Sequence, residues 1–342
     1  MKPKFTGGID AEALKRSANK ADSLISDDDP VAWEPGWLDS FRRWGANLSD
    51  GETILLIFAE YPSILGNSRS CGPIFNIANE AKLVGGVYIV GRAVTSNGWQ
   101  YGAVGDFQKA CHAIATDSDL CPLPAVILGR KSGCMMYYRA GLLGEGDSSI
   151  EISLNKMEST LNHGTLSSAL DVFAAEQLNS QEMRRQLWDD ASKFIPKERA
   201  ESIVQESVLI ALRVMFAGYT TLAETNIPIG RTDLFMISKD EKDPARGLLE
   251  LKVLRGFSST GSKIAESVLK QHLMGGRIQA RTYGNQLGAC IRLLCSYDLR
   301  KDKKEELLNG IERDCEADGV TFKNYPVQNS SSNVRDALDP VL

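Results

Sequence analysis

Apolar residues recur along this chain in two rhythms, and the switches between them mark out its elements. In the first half, short Ile/Leu/Val-rich runs at 53–59, 86–90 and 125–128 read as strands, with a further strand at 135–139. Helical spacing at 74–83 and 107–114 alternates with them. Trp33, Trp37 and Trp44 fall at helix-like intervals around 36–44, where inward packing in a core or interface is the ordinary use of such rings. The polar opening holds a short helix over 10–24, and a Gly/Ser-rich stretch at 144–149 closes the region. The alternation predicts a small α/β domain over residues 1–150.

The rhythm then becomes helical. Leu170, Val172, Phe173, Leu178, Met183, Leu187 and Trp188 give one or two helices, read as a link over 151–196 that Pro196 ends. A second domain follows over 197–342. It opens with an amphipathic helix at 201–216, stopped near Gly218. Next come an extended segment at 219–229, a strand at 230–237, a polar turn at 238–247 and a strand at 248–254. A helical pattern at 277–286 and a strand at 289–299 complete the readable part. No period of 20 to 50 residues repeats, so a solenoid is not indicated.

Composition narrows the class. The chain has 342 residues, 43% hydrophobic and 24% charged, with mean hydropathy −0.20. Such a chain buries roughly 75% of its unfolded surface, which excludes disorder and a disulfide-stapled mini-domain. The apolar runs fall far short of the roughly 20 residues a membrane span needs, and no secretory signal is legible at the start. Seven cysteines at irregular spacing and only three histidines argue against a structural zinc site; reduced thiols in the cytoplasm are the simplest expectation. In the first domain, Gly129-Arg130-Lys131-Ser132 is only a fragment of a phosphate loop, and the neighbours Cys111 and His112 do not face one another.

Net charge is −5, but the fifty residues 252–301 hold nine basic side chains against two acidic ones. A polyanion is then a partner for one face only, unless this is simply a solvated basic face.

The strand at 248–254 carries the chemistry. Side chains alternate along a strand, so Glu250 and Lys252 share one face with Leu248 and Leu254. A carboxylate and an ammonium in a mostly apolar strand are costly to desolvate unless paired or bound. Antiparallel return across the 238–247 turn brings Asp233 beside them. Two carboxylates held together call for a cation, and oxygen ligands select a hard one such as Mg²⁺. The same Glu-x-Lys spacing at Glu80 and Lys82 lies in a helical pattern with no aspartate strand before it, and reads as surface.

The order of parts matters more than the spacing: a helix with glutamate, a strand, a Gly230-Arg-Thr-Asp233 strand, a turn, and a Leu248-Leu-Glu-Leu-Lys252 strand. This segment resembles the core of the PD-(D/E)xK, or restriction-endonuclease-like, nuclease superfamily. Gln279 and Tyr283, four apart on a later helix, resemble the Q-x-x-x-Y helix of its RecB-type branch. Thr232 stands where the family name has proline. The likeness covers about 100 residues, and implies a mixed central sheet flanked by helices.

Carried over residue by residue, the resemblance implies Asp233, Glu250 and the Leu251 carbonyl as ligands of Mg²⁺ or Mn²⁺. Lys252 would orient or help deprotonate the attacking water, or stabilise the charge gathering on phosphorus. Glu206 is the candidate for the helix glutamate near the metal, with Glu201 as the substitute. Gln279, Tyr283, Arg255, Arg277 and Arg281 would hold the nucleic acid. The expectation is a metal-dependent nuclease acting on DNA rather than RNA, with the first domain recognising a target, a protein partner or a second copy of the chain. Defence against foreign DNA is a setting such a fusion suits. The alternatives left open are a catalytically silent nucleic-acid-binding scaffold and a toxin-like RNase. At single residues they are Lys252 as mere counter-charge, Glu206 as an exposed helix residue, Tyr283 as core, and Glu224 as a further carboxylate touching the site.

Overall fold

The computed structural model describes residues 31–333, apart from 70, 75–76, 78–82, 84, 95–96, 102–106, 131–132, 143–148, 155–159, 304 and 331. The helix expected at 10–24, most of the one at 74–83, the Glu80/Lys82 pair, Lys131, Ser132 and residues 144–148 lie outside the described residues. The fold is α/β, in two compact units that divide between 157 and 158.

The first unit runs α1 (Trp37–Asn47), β1 (Ile54–Phe58), α2 (Pro62–Ser68), β2 (Gly72–Ile74), β3 (Gly86–Val90), β4 (Gly98–Tyr101), α3 (Phe107–Thr116), β5 (Ala125–Leu128), β6 (Cys134–Tyr138) and β7 (Ser149–Ser153). Its seven strands are ordered β2-β4-β3-β1-β5-β6-β7, with β1 and β3 parallel and the other pairings antiparallel. β1, β3 and β5 are buried at every position, which is why they read as unbroken apolar runs. Leu55 and Ile57 of β1 pack with Val87, Ile89 and the Ala110–Ile114 face of α3. Trp33, Trp37, Phe41 and Trp44 are fully or almost fully buried and close on Phe58 and Tyr137, so these rings are core.

The second unit runs α4 (His163–Phe173), a π-helical turn (Ala174–Leu178), α5 (Gln181–Leu187), β8 (Trp188–Asp190), a 3₁₀ turn (Ala191–Lys193), β9 (Ile195–Pro196), α6 (Ala200–Met215), β10 (Tyr219–Ile227), β11 (Gly230–Ser238), β12 (Arg246–Leu254), α7 (Glu266–Leu287), β13 (Ile291–Asp298), α8 (Glu305–Ala317) and β14 (Thr321–Pro326). β8 and β9 form a small antiparallel ribbon. The main sheet has the order β10-β11-β12-β13-β14. β10, β11 and β12 form an antiparallel meander, whereas β12, β13 and β14 are parallel, as the long crossovers through α7 and α8 require. No helix among the described residues is long and apolar enough to cross a membrane.

The helices expected as a link belong to this second unit. Asn162 and Thr165 form a reciprocal cap that starts α4. Its inward face, Leu166, Ala169, Leu170 and Phe173, is buried, and Phe173 meets Tyr297 of β13 edge-on. An apolar stripe of that width needs a sheet to cover, which a free connector would lack.

In the parallel register Glu250 sits beside Leu294, and Lys252 beside Ser296. These four side chains therefore share one face of the sheet, and Leu249, Leu251 and Val253 share the other with Leu293, Cys295 and Tyr297. Helix α7 lies against the Glu250/Lys252 face and ends at Gly288, whose φ of +64° is the left-handed cap glycine accepts most readily.

Candidate active site

Asp233 stands where two strands part. The β11–β12 ladder runs from Ile237↔Arg246 to Leu234↔Leu249, and Asp233 is the next residue out. Its Oδ2 accepts the Leu251 N–H at 2.7 Å, so a side chain replaces the missing ladder bond. A strand residue sends its N–H and C=O to the same edge, which turns the Leu251 carbonyl toward Asp233 as well. The Asp233 carbonyl in turn accepts from Gln205 Nε2 of α6 at 3.2 Å.

The other neighbour of Asp233 is distorted. Between the pairs Ala223↔Leu234 and Thr225↔Thr232, Glu224 of β10 has a φ of +48°. Such a conformation costs a non-glycine residue on the order of 1–3 kcal/mol and interrupts the pairing directly across from Asp233. The Glu224 carboxylate does not join the others; it bonds Arg231 at 2.8 Å.

Glu250 and Lys252 are buried, at 1% and 7% exposure. Lys252 Nζ donates to Glu250 Oε1 at 2.9 Å and lies 3.7 Å from Asp233 Oδ2. The second oxygen, Glu250 Oε2, is buried without a hydrogen-bond partner. Burial and the charge of Asp233 push the Glu250 carboxyl up to about 8, against the pull of Lys252. For Lys252, burial opposes the charge, but Asp233 and Glu250 outweigh it and hold the ammonium above its ordinary value. A glycine makes this arrangement fit beneath α7. A methyl group on Gly276 would lie 2.8 Å from Leu294 Cδ1 and 3.0 Å from Lys252 Cε, so the helix rides on the lysine stem where it has no side chain.

Glu201, in the first turn of α6, is a helix glutamate with Lys252 and Asp233 among its charge neighbours. Glu201 lies in the field of Lys252, Asp233 and Arg255, and its carboxyl is raised chiefly by burial. Glu206 is five residues on, about 140° around the helix, and is buried rather than exposed. α6 is buried at every position from Glu206 to Met215, so periodicity does not separate its faces there. Only its first turns are partly exposed. Across from Glu201 is His272 of α7, with Nε2 3.9 Å from Glu201 Oε2. Burial, then Lys252 and Arg255, lower the imidazole below its ordinary value. Sequence reasoning missed His272, yet it precedes Gln279 by seven residues, two helical turns, on the face that carries Gly276 and Tyr283.

Gln279 is half-buried on that face, and the Tyr283 ring is in the core with Ile227, Phe235 and Leu248. The Tyr283 hydroxyl sits over Gly230, the first residue of β11, where a side chain would collide with it. Arg255 extends to the start of α6, donating to the Glu198 carbonyl at 3.0 Å. Arg277 and Arg281 are paired with acidic groups: Arg281 bonds Asp318 at 2.8 Å, and Arg277 lies 3.5 Å from Asp314 and 3.4 Å from Asp318. Arg300 is bound at 2.7 Å to Asp298, one of the two acidic residues already counted in the basic stretch. The positive excess counted along 252–301 is thus reduced in space by acidic groups folded back on it.

Among the described residues no group of three or more His, Cys, Asp or Glu side chains is set to hold a metal. The set here is two carboxylates and one carbonyl, with a buried oxygen of Glu250 left over. Such a set fits a hard divalent ion that keeps several waters, rather than one enclosed by protein ligands. Comparison of the chain with models of protein families, with curated proteins and with solved structures finds no match.

Proposed function

We propose that the second unit is a metal-dependent nuclease that hydrolyses phosphodiester bonds, with DNA as the leading substrate. The observation that carries this reading is the convergence of Asp233 from β11 with Glu250 and Lys252 of the central strand β12, with Glu250 Oε2 buried and unpartnered. The run α6, β10–β12, α7, β13 supports it, since it has the order of parts in the PD-(D/E)xK core that the sequence resembles.

Asp233, Glu250 and the Leu251 carbonyl would hold Mg²⁺ or Mn²⁺. A hard divalent cation bound there supplies a water of lowered pKa and a clamp on phosphoryl oxygens. The remaining work falls to the chain itself. Lys252 is held charged by its two carboxylates, so it is no proton acceptor; it orients water and offsets the charge that gathers on phosphorus. Asp233 is fixed by the Leu251 N–H and, through its backbone, by Gln205, which keeps its carboxylate from swinging away when charge changes nearby. Gln279 lines the same helix face as His272 and would position the strand, with Arg255 on a backbone phosphate.

The test is cleavage of plasmid, linear and single-stranded DNA and of RNA by the purified chain, with Mg²⁺, with Mn²⁺ and with chelator. Metal-dependent cleavage that Asp233→Ala and Lys252→Ala abolish, with binding retained, is the expected result. Binding without cleavage under every condition points to a silent scaffold instead, and cleavage of RNA alone to a toxin-like RNase.

A further inference from the structure

We propose that His272, backed by Glu201, is the proton acceptor for the attacking water at this site. The inference rests on the nuclease reading and goes beyond it, because the Asp233–Glu250–Lys252 set holds no free base. Lys252 is charged and bonded to Glu250, and the two carboxylates are the groups that would hold the metal, so neither is left to take the proton. His272 is an imidazole that faces Glu201 and has Asp233 and Lys252 among its charge neighbours, 39% exposed at its side chain and so open to a water. The groups that face it are Glu201 from α6, Asp233 from β11, Lys252 from β12 and Arg255 just beyond β12.

Those surroundings suit a base. Burial and two neighbouring cations keep the ring neutral at pH 7, so it is ready to receive a proton. Glu201, 3.9 Å from Nε2, then steadies the imidazolium, as a carboxylate behind a catalytic histidine does in other hydrolases. With Nε2 toward Glu201, Nδ1 takes the proton. The water oxygen forms the new P–O bond. The bond from phosphorus to the leaving nucleoside oxygen breaks with its electron pair, that oxygen takes a proton from solvent, and His272 returns its own to solvent.

Two measurements on the full chain test this. In an NMR titration of the three imidazoles, His272 is identified as the signal lost in His272→Gln. It should titrate below the ordinary histidine value, lower still in Glu201→Gln and higher in Lys252→Met. An ordinary value unmoved by either substitution overturns the proposal whatever the activity. In the cleavage assay, His272→Gln should lose about 10²-fold or more, keep its affinity for the substrate, and lose the acidic limb of the pH–rate profile. Wild-type rates and an unchanged limb in His272→Gln overturn the role of His272 and leave the nuclease reading standing. Absence of cleavage by the wild-type chain on any DNA or RNA removes both.

Discussion

Strands β1 and β12 hold the same place in their respective sheets: each is the middle strand, and β1 is buried at all five positions, β12 at all but its first. One is Ile-Leu-Leu-Ile-Phe. The other carries Glu250 and Lys252 where β1 carries only hydrocarbon. The comparison teaches that a central strand of this protein needs no charge to fold, so the pair in β12 has another reason to be there. A buried ion pair is roughly neutral against apolar residues of similar volume, or worse by 1–4 kcal/mol. Its desolvation is a cost borne in the resting fold, and the unpartnered Glu250 oxygen is where that cost is most visible.

The largest expected effect comes from making β12 resemble β1. Lys252→Met should lower the cleavage rate by roughly 10²–10³-fold, the usual consequence of losing one charge-stabilising group. At a pH high enough to ionise Glu250 the same variant should lose about 3–5 kcal/mol of stability, because a buried carboxylate is left alone, and less at neutral pH where the carboxyl keeps its proton. The paired change Glu250→Leu with Lys252→Met should be inactive yet as stable as wild type, or more so. An active double variant, or one that unfolds more readily than Lys252→Met alone, would break the contrast between the two strands.

Acidity sharpens it further. The Glu250 carboxyl titrates near 8 in the folded chain, against about 4.3 for an unperturbed glutamate. Between those values the folded state holds a proton that the unfolded state has lost, so metal-free stability falls as pH rises, by at most about 1.4 kcal/mol per pH unit. Denaturant midpoints from pH 5 to 8 should show this slope in wild type and lose it in Glu250→Gln. A divalent cation at the carboxylates should flatten it as well, since it favours the ionised form.

How much of this was legible beforehand follows from the same physics. The Glu250/Lys252 alternation and the Asp233 return could be read because strand periodicity is local and a charge in an apolar run stands out. The strands β2, β4, β7 and β14 and helix α8 were not anticipated: β2, β4 and β14 are at least half open in their pattern, so their sequences carry no run of apolar residues. Helical spacing favours Glu206 over Glu201 because it reports which face packs, and α6 beyond its first turns is packed all round. The one local signal for His272 was its place two turns before Gln279 on the same helix face. Its place depends on two helices, far apart in sequence, meeting at one cleft. The basic excess over 252–301 failed differently, since its counter-charges Asp314 and Asp318 lie beyond that stretch.

A smaller effect is expected at the helix over the site. Gly276→Ala puts a methyl group against Leu294 and the Lys252 stem, so α7 or the lysine must shift by tenths of an ångström. Overpacking costs about 1–3 kcal/mol, and the better helix propensity of alanine returns up to about 1 kcal/mol of it. Cleavage should fall about tenfold by displacement of the ammonium, whereas Gly275→Ala, one residue away with nothing within 4 Å of its added methyl, should leave the rate unchanged. Equal loss in both would mean that α7 tolerates neither methyl for reasons of helix packing alone, and that Lys252 is not what the glycine accommodates.

The smallest effect separates two kinds of arginine. Arg255 is bonded to a neutral carbonyl, whereas Arg281 faces the Asp318 carboxylate across α7 and the end of α8. A phosphate reaching Arg255 gains its charge and releases a counterion; one reaching Arg281 must first displace an aspartate already in place. Arg255→Gln should therefore lower the slope of log affinity for DNA against log salt by about one, with little change in stability. Arg281→Gln should leave that slope unchanged and cost about 0.2–1 kcal/mol of folding free energy, since its ion pair is half-exposed. If the two substitutions change the salt slope alike, Asp318 releases Arg281 when DNA binds. The phosphate path would then cross α7 as the sequence suggested, instead of following its edge from Arg255 into the cleft.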